Sequence, residues 1–284
     1  MAAYPRRAEK RSAFCHLCIP PTQEFAVTTQ LAECAALFRP AFVAPMRSIS
    51  VLPAAAVMHA DPSVAIVIPV YNGAAYLAEA LRSVLAQEGC RITSIIVIDD
   101  GSTDSSASIA AAHPPPVRLI RQIHSGAATA RNRGLALATE DYIGCLDADD
   151  LLPPRSVAAR AAALGTDPAL DATVGLVTQF ISPDLDASAA ARLHVPDHPM
   201  KGPLLGAMLF RHRLFGRVGG FDTDLAHGDF IDWYLRARAA GMVSRQLDTV
   251  VLQRRVHGTN LTLRDKADRK DYLTVVRRHL ARQG

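Results

Sequence analysis

Four short runs, VAIVI (64–68), SIIVI (94–98), VRLI (117–120) and YIGCL (142–146), are apolar almost without interruption, and the segments between them carry a different period. Continuous apolar strands have both faces buried, unlike the apolar–polar alternation of a half-solvated antiparallel sheet. AAYLAEALRSVLAQ (74–87) places Leu77, Leu81, Val84 and Leu85 at helical spacing, and SSASIAAAH (105–113) and GAATARNRGLALA (126–138) read as further helices. The middle one has Asp104 or Thr103 to cap its start. Strands alternating with helices predict a parallel α/β sheet covered on both faces.

Downstream the pattern loosens. VGLVTQF (174–180) and LLGAMLF (204–210) are expected strands, FIDWYLRARAAG (230–241) a helix closed by Gly241, and TVVLQRRV (249–256) a strand. DRKDYLTVVRRHLAR (268–282) is expected to be an amphipathic helix with a basic face. Residues 1–61 show no sustained period and several prolines, and read as a poorly ordered extension or an early start, with Met46 or Met58 as other starts. The expected organisation is one domain over 62–284: a donor half (62–155), an acceptor half (156–262) and a C-terminal helix (263–284).

Composition narrows the function classes. A net charge of +4 with no dense Lys/Arg run argues against nucleic acid as a partner. No run of 18 apolar residues occurs, and no signal peptide is read, so a cytoplasmic location is expected. Five cysteines without a secretion signal argue against a disulfide framework. Cys15 and Cys18, with Cys34 as a third ligand, have the spacing of a partial zinc site, but ordinary thiols are the preferred reading.

The chemistry gathers where strands end. In an open α/β sheet, ligands bind beyond the carboxyl ends of the strands. Pro69-Val70-Tyr71-Asn72 follows the first strand, Asp99-Asp100-Gly101-Ser102 the second and Asp147-Ala148-Asp149-Asp150 the fourth. Carboxylates there can accept hydrogen bonds from a base or sugar, or hold a hard cation. If the strand runs on through Asp147 and Asp149, both side chains point the same way, which suits Mg²⁺ or Mn²⁺. The competing reading makes them capping aspartates ahead of Pro153-Pro154.

Taken in order, IVIPVYNGAAYLAEALRSVLAQ, IIVIDDGSTDSS, HSGAATARNRGLALATEDYIGCLDADD and GGFD resemble glycosyltransferase family 2, whose GT-A fold implies an open mixed, mostly parallel α/β sheet flanked by helices. The resemblance covers about 62–155 and, more loosely, 203–260. It implies a nucleotide-diphospho-sugar donor, a UDP-sugar by family habit, and displacement with inversion. Pro69, Val70, Tyr71 and Asn72 would line the nucleotide pocket, and Asp99 and Asp100 would lie against base and ribose. Arg131 and Asn132 would touch phosphate or sugar. Asp147, Ala148 and Asp149 match the family's DxD stretch, whose Mn²⁺ or Mg²⁺ bridges the phosphates, and His257 matches a late histidine that completes the metal shell. Arg254 and Arg255 could neutralise the diphosphate.

The acceptor side departs from the pattern. Where the family carries adjacent Glu and Asp before a Trp-x-x-Arg-like stretch, this chain reads GDFIDWYLR (228–236). With Trp233 and Arg236 setting the register, Asp229 takes the Glu place and Phe230 the Asp place, while a one-residue shift makes Asp229 the base. Asp229 is the expected general base, with Asp232 as the other carboxylate within reach, unless Asp232 pairs with Arg236. The acceptor is not legible. The basic last helix reads as a solvated face or as a contact with an anionic membrane surface. Two other classes stay open: a catalytically impaired sugar-nucleotide binding protein, favoured by the missing pair, and a nucleotidyltransferase, disfavoured because PVYNGAAY lacks Lys and Arg.

Overall fold

The computed structural model describes residues 62–258 and 270–281. The half zinc site at Cys15, Cys18 and Cys34, the extension 1–61 and the flanks of the last helix lie outside them. Seven strands form one sheet: β1 (Ser63–Val70), β2 (Arg91–Asp99), β3 (Val117–Arg121), β4 (Tyr142–Cys145), β5 (Ala172–Ile181), β6 (Met208–Arg211) and β7 (Ser244–Val256). Their spatial order is β3-β2-β1-β4-β6-β5-β7. The first four run parallel, β6 is antiparallel to both its neighbours, and β5 and β7 pair in parallel. The sheet is therefore mixed and mostly parallel, as expected.

The helices are α1 (Leu77–Leu85), α2 (Ser106–Ala111), α3 (Ala127–Leu137), α4 (Ser156–Gly165), α5 (Ala187–Ala190), α6 (Arg213–Val218), α7 (Asp229–Ala239) and α8 (Lys270–Ala281). The apolar runs of β1 and β2 are buried on both faces, which is why they lack alternation. α3 lies on β1 and β2. A Cβ at Gly134 would stand 2.2 Å from a Val67 methyl, so only glycine lets this helix approach the strand. α4 packs on β5, β6 and β7. There the buried Arg160 donates to the carbonyls of Gly206 and Met208, and burial pulls its pKa down to about 10, with Cys90 opposing.

Trp233 on α7 is fully buried among Phe210, Phe215, Phe221 and Phe230, and its indole N–H donates to the Gly219 carbonyl at 2.8 Å. This aromatic cluster joins β6, α6 and α7 and fixes where α7 begins.

Two expectations change. LLGAMLF is a 3₁₀ turn, Leu205–Ala207, followed by the short strand β6, because Gly206 must pass against Leu252. α1 opens at Leu77 instead of residue 74, because Gly73 and Ala74 are tied by their amides to Ser106 and Asp104.

Asp171, at the foot of β5, accepts from Arg217 at 2.6 Å and from the Val243 amide at 3.1 Å. Burial raises its carboxyl, but these partners outweigh burial and leave it below its ordinary value. The folded value lies below the unfolded one, so its contribution is complete above about pH 4 and is lost as pH falls through the folded value. Asp171→Asn is expected to lower the melting temperature at pH 7, with the deficit shrinking as melts are taken toward pH 3.

Candidate active site

The carboxyl ends of β1, β2 and β4 lie side by side, because β1 pairs with both neighbours in parallel. The loop after β1 is stitched to the loop after β2. The Asn72 amide donates to Ser102 Oγ at 2.9 Å and its side-chain oxygen accepts from the Thr103 amide at 2.8 Å. The Gly73 amide donates to Ser106 Oγ, and the Ala74 amide to Asp104. Asn72 is left-handed (φ 50°), a conformation asparagine tolerates better than most residues. GSTD after the strand thus holds YNG in place. Tyr71 projects from this loop half-exposed and stacks on His124, with ring centres 3.9 Å apart.

Asp99 and Asp100 are both buried. Asp99 accepts from the Ser102 amide and from Arg121 Nε at 2.9 Å. Asp100 accepts from the amides of Ser125 and Gly126, from Gln122 Nε2 and from His124 Nδ1. Two carboxylates can end a buried strand here because each has its own set of N–H donors. Expected against base and ribose, they are engaged with the turn that leads into α3. Gly101, next after Asp100, is left-handed (φ 78°), and a Cβ there would meet the His124 amide nitrogen at 2.8 Å.

α3 then delivers Arg131. Its guanidinium donates to Asp147 at 2.9 Å and to Asp229 at 2.7 Å, joining the end of β4 to the start of α7. Burial lowers its pKa, but Asp147 and Asp229 more than compensate and hold it above the ordinary arginine value. Asn132, expected at phosphate or sugar, is instead turned to the loop before α7, exchanging two hydrogen bonds with the Phe221 backbone.

The metal set of the sequence reading divides. Asp149 Oδ2 and His257 Nε2 are 3.0 Å apart, whereas Asp147 is drawn to Arg131. Among the described residues no group of three His, Cys, Asp or Glu converges on a point. The Asp149–His257 contact is a hydrogen bond at 3.0 Å, and a carboxylate oxygen and an imidazole nitrogen are donor types that Mn²⁺ accepts. Ala148 separates the two carboxylates in sequence. Asp150 faces inward and accepts from the Arg255 amide; burial, then Asp149 and Asp147, push its carboxyl well above the ordinary value. Arg255, expected toward diphosphate, is buried between the rings of Tyr76 and Phe180, donates to the Asp149 carbonyl and pairs with Glu79. Tyr76 also packs against His257. Pro69 and Val70 complete β1 beneath this edge.

Asp229 opens α7 and, among the described residues, is paired through Oδ2. Asp232 is buried and bonds Arg236 at 2.7 Å, and Arg236 in turn donates to the carbonyls of Val218 and Gly220. Asp232 thus holds the loop before α7. Reading residues by type missed His124, Gln122, Tyr76 and Glu79. The first lies within the quoted HSGAATARN stretch, and its place beside Asp100 follows from the parallel β2–β3 pairing. A surface hollow of about 370 Å³ lined by Asn132, Leu135, Ala136, Phe215 and Gly220 holds no titratable side chain and is no rival centre.

A mixed, mostly parallel sheet with acidic groups gathered at its carboxyl edge makes an α/β protein whose ligands bind at that edge. The sequence profile of glycosyl transferase family 2 matches residues 65–216, more than half of the chain, and the protein belongs to that family. The chain is 28% identical over 236 residues to chondroitin synthase of Pasteurella multocida, covering 80% of this chain and 24% of that one. It thus spans about a quarter of that relative's length. Its fold matches S. aureus TarS in complex with UDP-GlcNAc (TM-score 0.61, 18% identity, 76% of this chain and 65% of that one). It also matches the mannosyltransferase PcManGT of Pyrobaculum calidifontis in complex with GDP-Man and Mn²⁺ (TM-score 0.54, 24% identity, 79% and 64%). The GT-A fold expected from the sequence is the one observed.

Proposed function

We propose that the protein transfers a sugar from a nucleotide-diphospho-sugar to an acceptor hydroxyl, with inversion and with the help of a divalent ion. The observation that carries this reading is the Arg131 bridge, which holds a donor-side carboxylate, Asp147, and an acceptor-side carboxylate, Asp229, on one guanidinium. Because Arg131 occupies Oδ2 of Asp229, Oδ1 is the oxygen left to take the acceptor's proton. As that proton leaves, the acceptor oxygen bonds to the anomeric carbon, and the bond from that carbon to the diphosphate breaks. Asp149 and His257 would hold Mn²⁺ or Mg²⁺, which when bound offsets charge on the departing diphosphate. The His257 nitrogen bonded to Asp149 must present its lone pair to bind metal, so metal would replace the hydrogen bond between them. A UDP-sugar is the first donor to test, since the fold neighbour TarS carries UDP-GlcNAc. GDP-Man in PcManGT keeps a second base in the panel.

The test is nucleoside diphosphate release from UDP-, GDP- and dTDP-sugars, with and without Mn²⁺, using water or added sugars as acceptor. One metal-dependent donor is expected. Tight nucleotide binding with no release from any donor would favour a binding module instead.

α8 supports a further partner. Val275 packs inward and Arg278 pairs with Asp222, while Leu273, Val276 and Leu280 are exposed on the outer side with Arg277. Such a helix suits an anionic membrane surface. Among the described residues no helix is long and apolar enough to cross a membrane. Co-sedimentation with phosphatidylglycerol vesicles but not phosphatidylcholine vesicles is expected, and no sedimentation with either would remove this partner.

A further inference from the structure

We infer that His124 is a positioning residue for the donor's base: anchored by Asp100, it backs the ring of Tyr71 and so fixes the surface on which the base stacks. The inference rests on the donor-site reading above and adds a residue that reading did not contain.

The argument starts at the buried end of β2. Asp100 is 2% exposed, and its Oδ1 already takes Gln122 Nε2 and the Ser125 amide. Its Oδ2 takes the Gly126 amide at 2.9 Å and lies 2.8 Å from His124 Nδ1. The same nitrogen lies 3.1 Å from the Asp100 carbonyl. Both partners of Nδ1 are acceptors only, so Nδ1 carries the hydrogen and the tautomer is set. The imidazole is thereby held at one edge. Its face lies against Tyr71 at 3.9 Å with planes 21° apart. The Tyr71 backbone is fixed in turn by the Asn72 bonds to Ser102 and Thr103. Gly101 allows the whole arrangement, because any side chain there would collide with the His124 backbone.

The result is a two-ring stack with both members exposed at the carboxyl edge of the sheet, Tyr71 at 49% and the His124 side chain at 54%, where an α/β site takes its ligand. A lone tyrosine on a loop rotates freely, and a base that stacks on it must pay to order it. A ring already clamped from behind does not carry that cost. The ligand class is therefore a planar base, recognised by its face.

The test is titration of UDP, GDP, CDP and dTDP in Mn²⁺, with inorganic pyrophosphate as a probe that lacks a base. Wild type, His124→Ala, His124→Phe and Tyr71→Ala are compared, with melts confirming that each variant folds. His124→Ala is expected to weaken the tightest nucleotide about tenfold, within the range of one base–aromatic stack, and to leave pyrophosphate binding unchanged. His124→Phe keeps the backing ring and is expected to recover most of the affinity. Unchanged nucleotide affinity in His124→Ala, or equal loss for nucleotide and pyrophosphate, would overturn the inference while leaving the donor site standing. Wild type that binds no nucleotide would overturn the donor-site reading itself.

Discussion

Asp229→Asn is expected to lower turnover of the preferred donor by about 10²–10⁴, the range of a positioned general base, while nucleotide affinity stays within a factor of two. The amide keeps the size of the carboxylate and can still accept from Arg131 through its oxygen, so α7 should stay in place. It has no basic oxygen to receive the acceptor's proton. The comparison that gives the result meaning is Asp232→Asn. Asp232 is buried and bonds Arg236, which holds the carbonyls of Val218 and Gly220. Its replacement is expected to lower the melting temperature and to affect turnover only through that loss. A full loss of turnover in Asp232→Asn with Asp229→Asn active would exchange their roles.

Trp233→Ala is expected to cost about 3–5 kcal/mol, the usual range for emptying a buried tryptophan site. Four phenylalanine rings lose a neighbour, and the Gly219 carbonyl loses its indole donor. For a protein of this size each kcal/mol is worth about 2–4 °C, so a drop of roughly 6–20 °C in melting temperature is expected. Trp233→Phe keeps most of the apolar contact and should recover much of it. A small change in Trp233→Ala would mean that this cluster does not fix α7, and the placement of Asp229 would need another source.

Thiol chemistry gives a smaller check. Burial pushes the Cys145 thiol up to about 12, so it should resist alkylation at pH 8 until the protein is unfolded.

The sequence is most legible where periodicity is strong. Val64 to Ile68 and Ile95 to Ile98 are apolar because both their faces are covered, and that alone implies parallel strands with helices around them. α4 was missed because SVAARAAALG is rich in alanine, so its packed face carries little hydrophobic contrast. β6 was misjudged in length because the turn that feeds it is as apolar as the strand. At the site, residue type did not reveal the partners that folding supplies. Arg131 reads as a phosphate ligand until folding brings Asp147 and Asp229 to either side of it. Arg255 reads the same way until Tyr76 and Phe180, both distant in sequence, enclose it. Asp99 and Asp100 read as ligand contacts, because nothing local announces that Arg121, Gln122 and the 124–126 turn come back to meet them. These are long-range pairings, and no local pattern encodes them.

The central claim is that the carboxyl edge of this sheet holds a nucleotide diphosphate through a metal ion at Asp149 and His257. The most direct measurement is calorimetric titration of UDP and GDP into wild type and Asp149→Ala, each with Mn²⁺ and with chelator. The account predicts that one nucleotide binds wild type at least tenfold more tightly with Mn²⁺ than without, and that Asp149→Ala abolishes this dependence while its melting curve stays cooperative. Equal affinity with and without Mn²⁺, or a dependence that survives Asp149→Ala, would contradict it.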